Sequence, residues 1–430
     1  MALNINPIKI KGANCFEDCF ATILNYYNHD YMLLFNDSWG FLLNSDFDYN
    51  KSIAYSFSTE KIDLIKKTQE LFGLSFRRKE EEAFEDSLKN LKQELNKQHP
   101  IILFYDGYYL PWDDIYNKRH FYYHSLLAVG YDNNYLYCSD PYRDQSENKL
   151  ALEFTPEGYG GFLSFETMDT KNARDILKDS LLDILLKKNS SRENNMFTNM
   201  RHFAEIVTKY LDLNKEFEGH KDFYWTAPLV LQLFSIAESR NLFSTYLKYF
   251  SEKNNYCVPL ALCEDFVLIS LKWSNIVAIL VKGIMQEIDS QTIATKISKK
   301  IIKIADYEEK LMHDLIEVLK NPKTYSTPES NTYTRSVQIM KTKGRPQQIY
   351  TEEQKAVIKK AYKETHNPKD RSRLLCIKLR IVQGLTIEHI SNITEYSCST
   401  VSHLISSYNR YGMKEMLVKK YGGNHGRCPS

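Results

Sequence analysis

Apolar residues recur with a helical period over residues 14–27, where Phe16, Phe20, Ile23, Leu24 and Tyr27 share one face. The same period returns over 61–72 and 80–97. The pattern then changes. Residues 100–105, 122–131, 135–139 and 161–165 read as strands. Asp132, Asn133 and Asn134 tolerate turn geometry and predict a hairpin between the second and third of these. Helices first and antiparallel strands later predict an α+β unit over residues 1–190. From 191 to 322 the pattern is almost wholly helical, with amphipathic segments at 200–211, 227–237, 241–250, 260–282 and 293–319. The longest apolar run, 266–281, is broken by Lys272, Ser274 and Asn275, so it reads as a buried helix rather than a membrane span. Residues 323–348, with Pro328, Pro346 and many Ser and Thr, read as a linker. A helical unit occupies 349–430. The fold class expected is therefore multidomain α+β, with a mixed front end, a helical middle and an all-α tail.

Composition changes this picture in one respect. The formal net charge is only +2, but residues 331–430 carry 18 Lys+Arg against 7 Asp+Glu. An acidic body thus bears a basic tail, which suggests a polyanion contact for the tail. Apolar content of 43 % with 26 % charged residues excludes a disordered or collagen-like chain. The eight cysteines show no CxxC pair and no zinc-ligand spacing, so no metal is expected. The first fifteen residues lack the apolar core of a signal peptide. The expectation is a cytoplasmic protein with reduced thiols and no membrane attachment.

Two segments carry candidate chemistry. In the first, Asn14 is a good N-cap and Glu17, three residues on, completes a capping box. That places Cys15 on the first turn of a helix, where free backbone N–H groups and the helix dipole favour a thiolate. Cys19, one turn deeper, reads as a packed core thiol, and a lone Cys15 would more often be the same. In the second segment, His124 lies on a strand and Asp140 ends the next strand, just before Pro141. A cysteine on a helix N-terminus, then a histidine, then a carboxylate is the order of a papain-like site. The imidazole holds the thiolate, and the carboxylate fixes the ring. His99 and His120 read as surface or packing residues. Trp39, Tyr105, Tyr108, Tyr109 and Trp112 could line an acyl channel, although core packing accounts better for most of them.

CFEDCFATILNYYNHDYMLLFNDSWG, from Cys15 to Gly40, resembles the N-terminal domain of the butirosin biosynthesis protein H family, papain-like proteins of antibiotic and peptide assembly lines. HSLLAVGYDNNYLYCSDP is similar to the same family and to the peptidase domains of bacteriocin-exporting transporters. The likeness covers residues 10–185. It continues more weakly through RNLFSTYLKYF and LKWSNIVAIL. It implies a papain-like fold and acyl transfer from a carrier-protein thioester to an amine. In that reading Cys15 attacks the thioester, His124 moves the protons, Asp140 orients His124, and the Cys15 N–H helps hold the oxyanion. The implied partner is an acyl or peptidyl carrier protein, with phosphopantetheine carried by that partner and no cofactor held by this chain. One departure is visible: residues 7–13 contain no Gln or Asn to serve as a second oxyanion donor, and Asn14 is committed as the cap.

In the tail, Ile387, Ile390 and Ile393 mark a short helix, Tyr396 a turn, and Ser397 the cap of a second helix. Val401, Leu404, Ile405 and Tyr408 face inward on it. Ser399, Thr400, His403 and Arg410 are candidate contacts to double-stranded DNA, with Arg371 and Arg373 on phosphates and Lys343 and Arg345 in a minor-groove arm. Residues 344–420 resemble the N-terminal helix-turn-helix domain of mariner-related insertion-sequence transposases. The acidic catalytic domain of a transposase is not in the sequence, so the expectation is DNA binding without cleavage. A solvated helical interaction module is the plainer reading. Three functions compete: a cysteine acyltransferase or amide synthase with an appended helix-turn-helix, a DNA-binding regulator with a papain-like sensor body, and a cysteine peptidase.

Overall fold

The computed structural model describes residues 2–321 and 350–417, apart from 45, 49, 60–62, 80–83, 123, 168–176, 191–194, 221–222, 254–257, 366, 383–386 and 395. The linker at 323–348, with Lys343 and Arg345, lies outside the described residues.

The first helix, α1 (Cys15–Tyr26), starts where the sequence places it. Asn14 Oδ1 accepts from the backbone N–H groups of Phe16 and Glu17, and Glu17 returns a bond to the Asn14 N–H at 2.8 Å. A short pair, β1 (Leu42–Leu43) with β2 (Phe57–Ser58), precedes α2 (Leu64–Phe72), which Gly73 ends with left-handed geometry. Next come β3 (Leu74–Lys79), α3 (Phe84–Asn96), β4 (Ile101–Tyr105), β5 (His124–Tyr131), β6 (Tyr135–Asp140), β7 (Gln145–Ala151), a one-turn α4 (Thr155–Gly158) and β8 (Tyr159–Thr167). The six longer strands form one antiparallel sheet in the order β3-β8-β4-β5-β6-β7. The predicted hairpin joins β5 to β6, closed by Asp132 N–H to Tyr135 O at 2.9 Å. The sequence reading omitted β3 and β7. Edge strand β7 buries only Leu150, so it lacks the apolar alternation that marks a strand.

Helix α1 packs on one face of the sheet, with Phe20 against Phe76 and Tyr27 against Phe165. Leu91 and Leu95 of α3 cover the other face with Leu103, Leu126 and Phe162. The α1 face merges without a break into the helical region. That region comprises α5 (Leu177–Ser190), α6 (Met196–Tyr210), a one-turn α7 (Leu213–Glu216), α8 (Pro228–Lys253), α9 (Leu260–Met285) and α10 (Ser290–Lys320).

Residues 227–250 predict two helices but form one, α8. The polar Glu238-Ser239-Arg240 stretch that interrupts the apolar pattern is not a break, because Arg240 is fully buried and neutralised. Its guanidinium grips Glu308 of α10 through two bonds of 3.1 and 2.8 Å and donates to Gly40 O at 2.8 Å. Trp39 and Trp273 both donate their indole N–H to the same carboxylate. Trp39 is therefore a core residue, not a channel lining. Among the described residues α9 alone is long and apolar enough to cross a membrane, and here Phe266, Ile269, Trp273 and Ile276 on it are buried in the core.

The tail adds α11 (Glu352–Glu364), α12 (Pro368–Ile381), α13 (Ile387–Thr394) and α14 (Cys398–Leu417), the last interrupted at Gly412, where φ is +73°. Ile358, Leu374, Ile377, Ile390 and Val401 are buried between them, and α13 lies beside α9.

Candidate functional site

The site forms where the start of α1 meets the β5–β6 end of the sheet. His124 opens β5 opposite Tyr105 of β4 and is buried, with 4 % of its surface exposed. Its Nε2–H donates to Asp140 Oδ2 at 2.8 Å. A second hydrogen bond joins its ring to Cys15, and with Nε2 engaged this bond falls to Nδ1. Burial pushes the His124 pKa down, but the hydrogen bonds and charges of Asp140 and Cys15 outweigh it and raise the value to about 10. The imidazole is thus cationic at neutral pH. Asp140 is fully buried. Burial opposes its ionisation, yet the bonds from His124, Trp112 and the Arg143 backbone hold its pKa below the usual carboxylate range. The structure therefore brings together Cys15, His124 and Asp140, the three residues singled out in the sequence.

Several partners in this site carry no sequence signal of their own. Trp112 Nε1 donates to Asp140 Oδ2 at 3.0 Å, so the long β4–β5 loop helps to orient the carboxylate. Asp140 also caps the turn Pro141–Arg143 through the Arg143 N–H. The turn sets the Tyr142 ring edge-on to His124 at 6.3 Å. Asp18, one turn beyond Cys15, is fully buried. Its Oδ1 accepts from the Ile10 N–H at 3.0 Å, while Oδ2 is sealed without a partner. Burial lifts its pKa to about 7. Cys19 and Cys138 are buried thiols whose pKa values burial pushes well up, as suits packing rather than nucleophiles.

The loop that delivers Cys15 lies flat on α8. Gly12 has φ +92°, and a Cβ there would sit 2.4 Å from the Leu242 N atom. Thr245 Oγ1 donates to Lys11 O at 3.3 Å. His120, expected to be a surface or packing residue, meets the buried carboxylate of Asp106 at 2.6 Å and stacks between Tyr108 and Tyr122. The signal for it was Asp106 directly after a strand, a position from which a carboxylate caps its own loop. No cluster of metal-ligating side chains occurs among the described residues.

Residues 14–141 match the family model for butirosin biosynthesis protein H, N-terminal. The match starts at the α1 cap and ends one residue past Asp140, so it contains all three site residues. A search of the curated proteins finds no match. The tail lies outside the matched span.

Of the tail residues, Ser399, Thr400, His403 and Arg410 are exposed on α14, with the Ser399 and Thr400 hydroxyls bonded to Ser397 Oγ at 2.8 Å. Arg371 and Arg373 are half-buried and turned toward their own unit. Arg371 lies over the Tyr362 ring, and Arg373 pairs with Asp370 at 3.3 Å.

Proposed function

We propose that this protein is a cysteine acyltransferase of natural-product assembly, moving an acyl group from a carrier-protein thioester to an amine. The supporting observation is the hydrogen-bonded series Cys15–His124–Asp140, with Cys15 on the first turn of α1 and His124 held cationic. The likeness of residues 14–141 to the butirosin family favours acyl transfer over peptide hydrolysis. Cys15 sulfur forms a bond to the thioester carbonyl carbon, and the Cys15 N–H stabilises the oxyanion. Collapse breaks the bond to the pantetheine sulfur, which leaves with the proton of His124. The acceptor amine then attacks the acyl-enzyme and loses its proton to His124. The Cys15 S–C bond breaks, and an amide is released.

The test is mass spectrometry after incubation with an acylated carrier protein. A single acyl adduct on Cys15 is expected, and none in Cys15→Ala. Undiminished turnover by Cys15→Ala refutes the mechanism.

The exposed face of α14 favours a second role for the tail, binding double-stranded DNA through Ser399, Thr400, His403 and Arg410. Such binding should weaken steeply with salt, by roughly 0.9 in log K per log salt for each phosphate neutralised. Absence of binding at low salt removes this role.

A further inference from the structure

Three of the four tryptophans give their indole N–H to a carboxylate: Trp39 and Trp273 to Glu308, and Trp112 to Asp140. Trp225, in the turn before α8, is the exception, because its Nε1 is sealed from solvent without an acceptor. The guanidinium of Arg119, from the β4–β5 loop, lies over the same ring 5.8 Å from its centroid and 4.8 Å from that of Phe223. Arg119 Nη1 is likewise sealed and unpartnered, and no carboxylate among the described residues pairs with the guanidinium. His220 stands close enough to feel its charge. The His220 Nδ1–H is given to Thr226 Oγ1 at 3.0 Å, since that hydroxyl is already donating to Phe223 O at 2.8 Å. The other ring nitrogen then carries the lone pair of a neutral imidazole, so His220 borders the site without donating to an anion.

A guanidinium N–H withdrawn from water with no acceptor is destabilising, and so is an indole N–H. Here two such donors come together from segments about a hundred residues apart, with a half-buried imidazole beside them. One anion offering a separate oxygen to each would satisfy both. The indole N–H lies in the ring plane, whereas the guanidinium lies above it, so the donors are not coplanar. The oxygens of a tetrahedral anion can meet such an arrangement better than a planar carboxylate can.

We infer that Arg119 and Trp225, with His220 beside them, bind a phosphate group. The source is either the phosphodiester of a carrier's pantetheine arm, an assignment that rests on the acyl-transfer reading, or free phosphate. The site itself stands on the geometry alone.

The experiment uses full-length Cys15→Ala protein labelled with 15N at the indole nitrogens, so turnover plays no part. Inorganic phosphate and 4′-phosphopantetheine are titrated in parallel at constant ionic strength. One of the four indole resonances, the one absent in Trp225→Phe, is expected to move and saturate, with the dissociation constant at least ten-fold weaker in Arg119→Gln. A tighter response to phosphopantetheine assigns the pantetheine arm, and an equal or tighter response to phosphate assigns the free anion. Either result establishes the site. A Trp225 resonance that neither ligand moves, or a response unchanged in Arg119→Gln, overturns it. The other three indole resonances report whether a variant is folded. If Arg119→Gln disturbs them, Arg119→Lys, which keeps the charge and loses the fork, should give an intermediate affinity, and wild-type affinity there overturns the site equally.

Discussion

Replacing Asp140 by Asn removes a charge and leaves the shape nearly unchanged. In the native protein the charges and bonds of Asp140 and Cys15 overcome burial and carry His124 from the ordinary 6.5 to about 10. Each pKa unit is about 1.4 kcal/mol, so the imidazolium is favoured by at most about 5 kcal/mol. Without the Asp140 charge, burial dominates and the His124 pKa should fall below 6.5. The assay is the rate of Cys15 acylation by a small thioester across pH 5–10, with His124 followed by NMR. Native acylation should persist toward pH 10, because the imidazolium remains to protonate the leaving thiol. In Asp140→Asn the rate should already fall near neutrality and be about 10²–10⁴-fold lower at pH 8. Stability follows the same groups. The raised His124 pKa contributes stability in full below 6.5, and that contribution is lost as pH rises through 10. The depressed Asp140 pKa contributes stability above about 4 that is lost at lower pH. The melting difference between the two proteins should therefore be widest between about pH 4 and 6.5 and shrink toward pH 10. A His124 that still titrates near 10 in Asp140→Asn refutes the reasoning.

Asp18→Asn should have the opposite signature. With its folded pKa raised to about 7, the Asp18 carboxyl favours the fold below about pH 4 and loses that advantage as pH rises through 7. The Asn variant should match native melting at pH 4 and exceed it at pH 8, by up to about 4 kcal/mol. An equal difference at both values, measured by thermal circular dichroism, would count against a strained carboxylate. Glu308→Ala strands a buried guanidinium and two indole N–H groups and should cost about 3–5 kcal/mol. The paired change Arg240→Met with Glu308→Leu should recover part of that loss in chemical denaturation. Gly12→Ala forces a Cβ against the α8 backbone, so Cys15 acylation should slow at least ten-fold. Unchanged acylation kinetics would show that the loop has slack.

The site was legible where its signals are local. The Asn14–Glu17 capping box fixed the start of α1, and with it the setting of Cys15. The strand run that begins at His124 and the Asp-Pro step at Asp140 did the same for the other two residues. What escaped depends on partners distant in sequence. Arg240 reads as a helix break until Glu308, 68 residues on, neutralises it. Trp112 reads as core until its indole meets Asp140 from another strand. Strand β7 has no apolar alternation, because only pairing with β6 makes it a strand. The charge asymmetry of the tail was plain in the composition. That Arg371 and Arg373 turn inward was not, because a count of basic residues carries no direction.

The Arg240–Glu308 junction also bears on how the molecule is made. Arg240 fastens Gly40 across 200 residues, and Trp39 waits for Glu308 across 269. A ribosome therefore finishes α1 and the sheet behind it long before α8 arrives to hold the Gly12 loop. Until then the segment that leads into Cys15 has no α8 to lie on. The surroundings of Cys15 are thus completed only when the helical half has been translated.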